Sequence, residues 1–429
     1  MKKIIFYGLF LLPLSSQANK LSDYQPYKYE VLFTNPACKE YKYSTPVFSN
    51  NGDKLFSKPK DVYCKLSDLK ASALRENSPQ FRLIEWIRAA STKEIFMAYL
   101  TFSNNSIAAE LCNAVKRGVK VTMVLDNGAG GEDGEPTDNQ LAEGLKNCAK
   151  GTNSGEFSIN YRGNEGGIGF AHNKILAINP NDEKVFRLVF SSGNMSSGTA
   201  IHHENWNFIT TSQETYFSQA HKCLIKGMLG YGKTKAEFTQ FMNECRAGIK
   251  TPEESDIKSF FVPADGNKAF LALENVAQRA TSIDIVAHRF SGKFITLAKE
   301  QSSKNKKVRL ITDDDMYWAY KTKTDTCRNT VGEANAVMSL RREVEMKFMQ
   351  TNQAQELLQH NKFIIFQGQK PTLWAGAGNL TSAAFQKNYE NFYLITIPEV
   401  VEAFKTQYSK FWDVMATNWE MMPTEQILP

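Results

Sequence analysis

Two histidines, each followed by Asn and Lys, stand 188 positions apart (360 − 172): His172-Asn173-Lys174 and His360-Asn361-Lys362. A Gly-Asn pair trails each tripeptide, ending in Asn194 and Asn379, and a Glu-Asn pair follows, beginning at Glu204 and Glu390. Imidazole changes charge near neutral pH. One histidine can therefore attack phosphorus through an unprotonated ring nitrogen while a second, protonated, gives its proton to the leaving oxygen. Lys174, Lys362, Asn194 and Asn379 supply cationic and amide donors for the charge that develops on phosphoryl oxygens. Glu204 and Glu390 lie 32 and 30 positions beyond the histidine of their own repeat (204 − 172, 390 − 360). A carboxylate that accepts from the far ring nitrogen fixes the tautomer and supports the imidazolium. The two histidines should titrate as a coupled pair and give a bell-shaped rate profile. Four donors around one phosphate leave no need for a metal or any other cofactor, and none is expected.

The same interval recurs upstream to within one residue. Residues 93–102 (KEIFMAYLTF) match 281–290 (TSIDIVAHRF), and 120–127 (KVTMVLDN) match 307–314 (KVRLITDD). The chain is an internal duplication. Within each copy, apolar residues at helical spacing (FRLIEWIRAAS, FLALENVAQRA) precede an apolar strand, a second helix and a second strand. This alternation predicts an α/β fold with mixed sheets flanked by helices. On a strand, a Lys two residues after its His shares the same face, and an inward-pointing Lys without a function is expensive to bury. Residues 246–265, with Gly248, Pro252 and Pro263, form the natural junction. The expected divisions are 1–18, 19–78, 79–250 (repeat 1) and 251–429 (repeat 2).

Residues 1–18 have a basic start, an apolar run too short to span a bilayer, and a small-residue ending at Ala18, the pattern of a secretory signal. Residues 19–78 contain scattered prolines and aromatics and predict an irregular arm without a counterpart in the second half. Seven cysteines in an exported chain predict disulfides, with proximity suggesting Cys38–Cys64, Cys112–Cys148 and Cys223–Cys245 and leaving Cys327 over. No cysteine pair has zinc-ligand spacing. The formal charge of +6, two units of which are Lys2 and Lys3, favours an anionic partner only weakly. With 42% hydrophobic residues the chain can bury two ordinary cores. No segment of the mature chain is apolar for long enough to cross a membrane, and a secreted or periplasmic monomer is expected.

The paired motifs resemble those of the phospholipase D superfamily, whose members carry two His-x-Lys motifs, each with a downstream Gly-Ser-x-Asn-like segment. Here that segment reads Ser191-Ser192-Gly193-Asn194 and Gly376-Ala377-Gly378-Asn379. The resemblance covers both repeats, from about Pro79 to Trp412. It implies two α/β repeats packed with pseudo-twofold symmetry and an active site at their interface, with His172 forming a phosphohistidine and His360 protonating the leaving group. One departure is that the Asp usual five residues beyond the Lys is replaced by Asn179 and Gln367, as in the subgroup resembling tyrosyl-DNA phosphodiesterase. This weakens an automatic assignment as a phosphatidylcholine-cleaving lipase.

The remaining histidines, His202, His203, His221 and His288, read as satisfied core residues. The loop GAGGEDGEP (128–136) reads as a mobile surface loop. GNEGGIG (163–169) is either a close approach of backbone to substrate or a simple turn. A phospholipid substrate, the favoured reading, with peripheral membrane contact, needs an apolar surface to which Phe170, Trp206, Tyr317, Trp318 and Tyr320 would contribute. A nucleic acid needs a basic groove, with Lys304, Lys306, Lys307, Arg341 and Arg342 as candidates. A non-catalytic envelope protein is the third reading, disfavoured by the two complete His-Lys-Asn-Glu sets.

Overall fold

The structure is a computed structural model that describes residues 27–34, 78–128, 139–150, 154–322, 330–351 and 358–422, with Leu74, Glu76 and the short strands Asn19–Lys20, Pro46–Phe48 and Lys54–Phe56. The signal-like segment, residues 129–136 of the glycine-rich loop, Cys38, Cys64 and Cys327 lie outside the described residues.

Each half builds one eight-stranded mixed sheet. The first runs, edge to edge, Asn19–Lys20, Lys28–Thr34, Glu204–Ser212, Val185–Ser191, Ile175–Ile178, Glu94–Tyr99, Lys120–Asp126, Phe157–Arg162. The second runs Ile257–Val262, Glu390–Ile395, Thr372–Gly376, Lys362–Gln367, Ser282–Ala287, Lys307–Asp313, Glu345–Met349, Thr417–Asn418. The central strands are buried along nearly their whole length, which is why they read as continuous apolar runs such as EIFMAY and KFIIFQ rather than as alternating ones.

Seven strands of each sheet correspond in order, from Lys28–Thr34 and Ile257–Val262 to Phe157–Arg162 and Glu345–Met349, with Asn19–Lys20 and Thr417–Asn418 as unmatched strands at opposite edges, and the match corrects one expectation. The segment read as an irregular arm without a counterpart contributes Lys28–Thr34, antiparallel to Glu204–Ser212, just as Ile257–Val262 pairs with Glu390–Ile395. Only the pairing partner is shared: 44 residues (78 − 34) separate this strand from the first helix of repeat 1, so no repeated spacing marks it in the sequence.

The helices start where the predicted periodicity begins. Ser78 accepts from the Phe81 amide and Pro79 occupies the first turn of Pro79–Arg88, and Asn104 caps Asn105–Lys116 in the same way. These two helices cover one face of the first sheet with Leu83, Ile87, Ile107 and Leu111. Gly266–Arg279 and Lys293–Ser303 cover the second with Leu273, Phe294 and Ala298. Between the sheets lies one shared apolar layer. Phe190 of the first sheet stacks on Tyr393 of the second at 3.8 Å, and Phe217, Phe261, Phe363 and Phe404 join the same cluster. Burying an aromatic of this size contributes about 2–3 kcal/mol, so a handful of them suffices to hold the repeats in register.

Two of the expected disulfides, Cys112–Cys148 and Cys223–Cys245, are present. Among the described residues no helix is long and apolar enough to cross a membrane.

Candidate active site

The histidine motifs sit at the starts of equivalent strands, Ile175–Ile178 and Lys362–Gln367, and each is pinned by the opposite repeat. The His172 amide donates to Tyr389 O (2.9 Å) and the Tyr389 amide to Phe170 O (2.8 Å). Symmetrically, the His360 amide donates to His203 O (2.9 Å) and the His203 amide to Leu358 O (2.8 Å). Tyr389 and His203 each immediately precede a glutamate. The carboxylates therefore cross between repeats: Glu390 Oε2 lies 2.9 Å from His172 Nδ1, and Glu204 Oε1 lies 3.0 Å from His360 Nδ1.

The asparagines that follow each histidine and each glutamate also pair across the repeats, with the donor on the motif side in one pair and on the glutamate side in the other. Asn173 Nδ2 donates to Asn391 Oδ1 (3.3 Å) and Asn205 Nδ2 to Asn361 Oδ1 (2.9 Å), while the Lys174 amide also donates to Asn391 Oδ1. Gly193 is required by close approach, since a Cβ there would fall 1.8 Å from Glu204 Oε2. Asn194 and Asn379 stand half-buried just past the ends of the strands Val185–Ser191 and Thr372–Gly376, and the Oδ1 of each has no hydrogen-bond partner.

Lys174 and Lys362 are fully buried. Lys174 Nζ lies 2.9 Å from His172 Nε2, and Lys362 Nζ donates to His360 O (2.8 Å) and Ser192 O (3.1 Å). A carboxylate can only accept, so His172 Nδ1 carries the proton and its Nε2 presents a lone pair toward the ammonium. Burial pushes His172 down to about 4, with Glu390 opposing and Lys174 assisting. Burial likewise lowers Lys174 to about 8 against the pull of Glu390 and Glu204. Lys362 is held well below its ordinary range by burial and then by Lys174, again with both glutamates opposing. His360 is pushed well below the usual imidazole value by burial, then by Lys362, His288, His202 and Lys174. Each lysine feels both glutamates and each histidine feels the lysine of the other repeat, so the two half-sites form one electrostatic unit.

Several neighbours were not singled out from the sequence as site residues. Asp126 Oδ2 accepts from the Ala171 amide (2.6 Å) and Asp313 Oδ2 from the Gln359 amide (2.7 Å), so each aspartate clamps the residue before a motif histidine. Gly163, with φ +86°, makes room for the first clamp, since a Cβ would meet both Ala171 N and Asp126 Oδ2 at 2.6 Å. The 163–169 loop is thus a turn that serves this bond. The signal was present in the matched strands ending LD and TD, which place Asp126 and Asp313 at equivalent positions. Asn388 Nδ2 donates to Glu390 Oε1 (3.1 Å).

Of the other histidines, only His221 is a satisfied core residue, bonded to Phe217 O and to the Tyr393 hydroxyl. His288 is buried, its Nε2 3.7 Å from Asp315 Oδ2 and its ring 5.1 Å from that of His360. His203 has an unbonded Nδ1 and packs edge-on against Phe411, and His202 is half-buried beside Glu204. Local composition gave no hint of this, because the sheet ends bring these rings together.

The substrate-surface expectations also change. Trp206, Tyr317 and Trp318 are buried in the outer cores, and of these aromatics Phe170 alone is strongly exposed, at 49%. Lys304, Lys306 and Lys307 lie at the start of the strand Lys307–Asp313, roughly 20 Å from its site end at about 3.3 Å per residue. Arg341 and Arg342 precede the parallel neighbour Glu345–Met349 and so share that far end. Asn179, one of the two departures from the family pattern, has φ +50° and accepts from the Lys93 and Glu94 amides, a turn-building role.

Two stretches of the chain, residues 83–224 and 273–412, match the family described as cardiolipin synthase, PLD-like domain. Together they exceed half of the sequence, and the chain belongs to this phospholipase D-like family, whose members act on phosphodiester bonds. Among solved structures it is similar to phosphatidylserine synthase from Haemophilus influenzae Rd KW20, at 12% identity over 82% of this chain and 86% of that one, with a TM-score of 0.60. It is also similar to polyphosphate kinase from Porphyromonas gingivalis, at 13% identity over 79% of this chain, with a TM-score of 0.51, and spans 46% of that chain's length. Yeast tyrosyl-DNA phosphodiesterase is 11% identical over 73% of this chain and 85% of that one, with a TM-score of 0.45. At these identities the likenesses concern the fold alone. No curated protein matches the chain in sequence.

Proposed function

We propose that this protein is a phosphodiesterase that hydrolyses a phospholipid through a phosphohistidine formed on His172. The observation that carries the reading is the crossed pair of dyads, His172 with Glu390 and His360 with Glu204, sharing one electrostatic unit with Lys174 and Lys362. In the first step His172 Nε2 bonds to phosphorus, the bond to the leaving oxygen breaks, and His360 gives that oxygen a proton. In the second, His360 takes a proton from water, the hydroxyl oxygen bonds to phosphorus, and the bond to His172 breaks. The lysines stabilise the charge on the phosphoryl oxygens in both steps. The anionic substrate offsets the burial and the positive neighbours that keep His360 neutral in the free site.

Phospholipid is favoured by the family description and by exposed Phe170, two residues before the nucleophile. An oxidising, extracytoplasmic setting is supported by the two disulfides.

The test incubates purified protein and excess chelator with labelled phosphatidylcholine and phosphatidylglycerol vesicles and, separately, with single- and double-stranded DNA. Release of the lipid headgroup is expected, along with an acid-labile phosphoenzyme that is absent from His172→Asn. Cleavage of DNA alone would overturn the substrate, and full activity in His172→Ala would overturn the mechanism.

A further inference from the structure

Glu204 faces two imidazoles. Its Oε1 lies 3.0 Å from His360 Nδ1 and 3.4 Å from His202 Nδ1, and one donor atom from each of the three residues falls within 4.8 Å of the others. Two histidines and a carboxylate form the donor set of three-ligand zinc sites, which leave a fourth position to water. His202 and Glu204 are two residues apart where the chain enters a strand, a spacing that turns both side chains to one side. The His202 ring reaches the carboxylate by lying over Gly198, where a Cβ would come within 2.3 Å of its Nδ1.

A second observation points independently to a ligand. Glu204 is fully buried, yet its Oε2 has no hydrogen-bond partner. A buried carboxylate oxygen left unpaired is costly, and a cation relieves it. Repeat 2 shows the satisfied alternative at the equivalent place. There Asn388 stands two residues before the glutamate, its amide occupies Glu390 Oε1, and His172 occupies Glu390 Oε2. The carboxylate without an amide partner is the one with a second imidazole beside it. His202 has 17% of its side chain exposed while Glu204 has none, so an ion has its way in past His202.

We propose that His202, Glu204 and His360 bind a zinc-type divalent cation and that this site is inhibitory. Bound metal would hold His360 Nδ1 and draw Glu204 away from it, so that His360 could no longer carry the second proton it needs as an acid. Lys174 and Lys362 bring like charge to the neighbourhood and limit affinity, though both are amines held below their ordinary range by burial. Glu390 adds a compensating negative charge to the same unit. The inhibitory part rests on the proposed function, whereas binding does not.

The test titrates the untagged full chain with Co²⁺ as a spectroscopic probe and with Zn²⁺ by calorimetry. One ion per chain is expected, and His202→Asn, which installs the repeat 2 arrangement, should weaken binding at least tenfold while retaining the fold and the activity without metal. Zn²⁺ should inhibit the wild type reversibly, with relief by chelator, and should inhibit His202→Asn at least tenfold less. Metal binding that is lost in His202→Asn supports the site even in a preparation that cleaves no phosphodiester. Undiminished binding in His202→Asn, or no one-to-one binding up to millimolar metal, overturns it.

Discussion

Glu390 Oε2 lies 2.9 Å from His172 Nδ1 although the two residues are 218 positions apart, and Glu204 answers from the first repeat to His360 at 3.0 Å. Each repeat supplies the orienting carboxylate for the other's imidazole, so neither half holds a complete dyad. The backbone explains the exchange: Tyr389 and His203, which precede the glutamates, bridge to the segments that carry the opposite histidines.

Exchanging either carboxylate for an amide should therefore disable the whole site. In Glu390→Gln the amide can turn its NH₂ group toward Nδ1 and favour the wrong tautomer of His172. A loss of about 10²–10⁴ in kcat is expected, with a smaller change in KM. Glu204→Gln should act similarly through His360. Steady-state kinetics on both variants would decide it, and a loss under threefold in both would remove the orienting role.

Much of this was legible in the chain because duplication repeats its signals. The helices at Pro79–Arg88 and Gly266–Arg279, the strands around them and all eight motif residues were visible as a pattern seen twice. Side-chain period and cap residues are local, so they survive in sequence. The cross-repeat pairing of Glu390 with His172 did not, because it depends on which strand ends meet across the interface. The strand Lys28–Thr34 was hidden for the same reason, as pairing to Glu204–Ser212 is a long-range choice that its own composition does not announce. His202 and His288 read as core because a lone histidine near an apolar run carries no mark of the neighbour that folding brings to it.

Asp126 and Asp313 yield a prediction about positioning. Asp126 uses both carboxylate oxygens, with Oδ2 accepting from Ala171 N and Oδ1 from Gly128 N and Asn164 Nδ2. In Asp126→Asn one of these acceptors becomes a donor facing a donor. The expected cost is about 1–3 kcal/mol of stability and roughly 10- to 100-fold in kcat, as His172 loses its fixed placement. Denaturant melts together with kinetics would separate the two effects. Wild-type kcat at a temperature where the variant is fully folded would show that the clamp does not serve the site.

The Cys112–Cys148 bridge ties the helix Asn105–Lys116 to the segment Leu145–Lys150 across 36 positions. Closing a loop of that length removes denatured-state entropy worth about 3–4 kcal/mol in the chain-entropy model. The double substitution Cys112→Ala with Cys148→Ala should lower unfolding free energy by up to that amount without moving KM, because the bridge lies on the outer helical layer of the first sheet. Urea melts of the variant would measure it, and an unchanged midpoint would mean that the bridge does not constrain the unfolded chain.

The acid and base behaviour of the site has a definite sign. His172 is pushed down to about 4 from 6.5, so it is neutral and able to attack phosphorus well below the pH at which a free imidazole would be protonated. The acid limb of kcat/KM should therefore lie nearer 4 than 6.5; on the alkaline side the first decline belongs to His360 losing its proton, and the loss of the Lys174 charge near 8 adds a further one. The same burial costs stability in acid. As pH falls through 6.5 the unfolded chain takes up a proton that folded His172 refuses until about 4, so stability drops across that window by about 3 kcal/mol from this residue. His203, His221 and His288, each lowered to about 3 by burial, push in the same direction. Lys174 carries the analogous penalty at neutral and lower pH, relieved as pH rises from about 8 through 10.5. A pH series of denaturant melts between 7 and 5, run beside the rate profile, would test both statements. An acid limb centred at 6.5 with a flat stability profile would mean that His172 is solvated rather than buried, and the charge arrangement inferred for the site would fall with it.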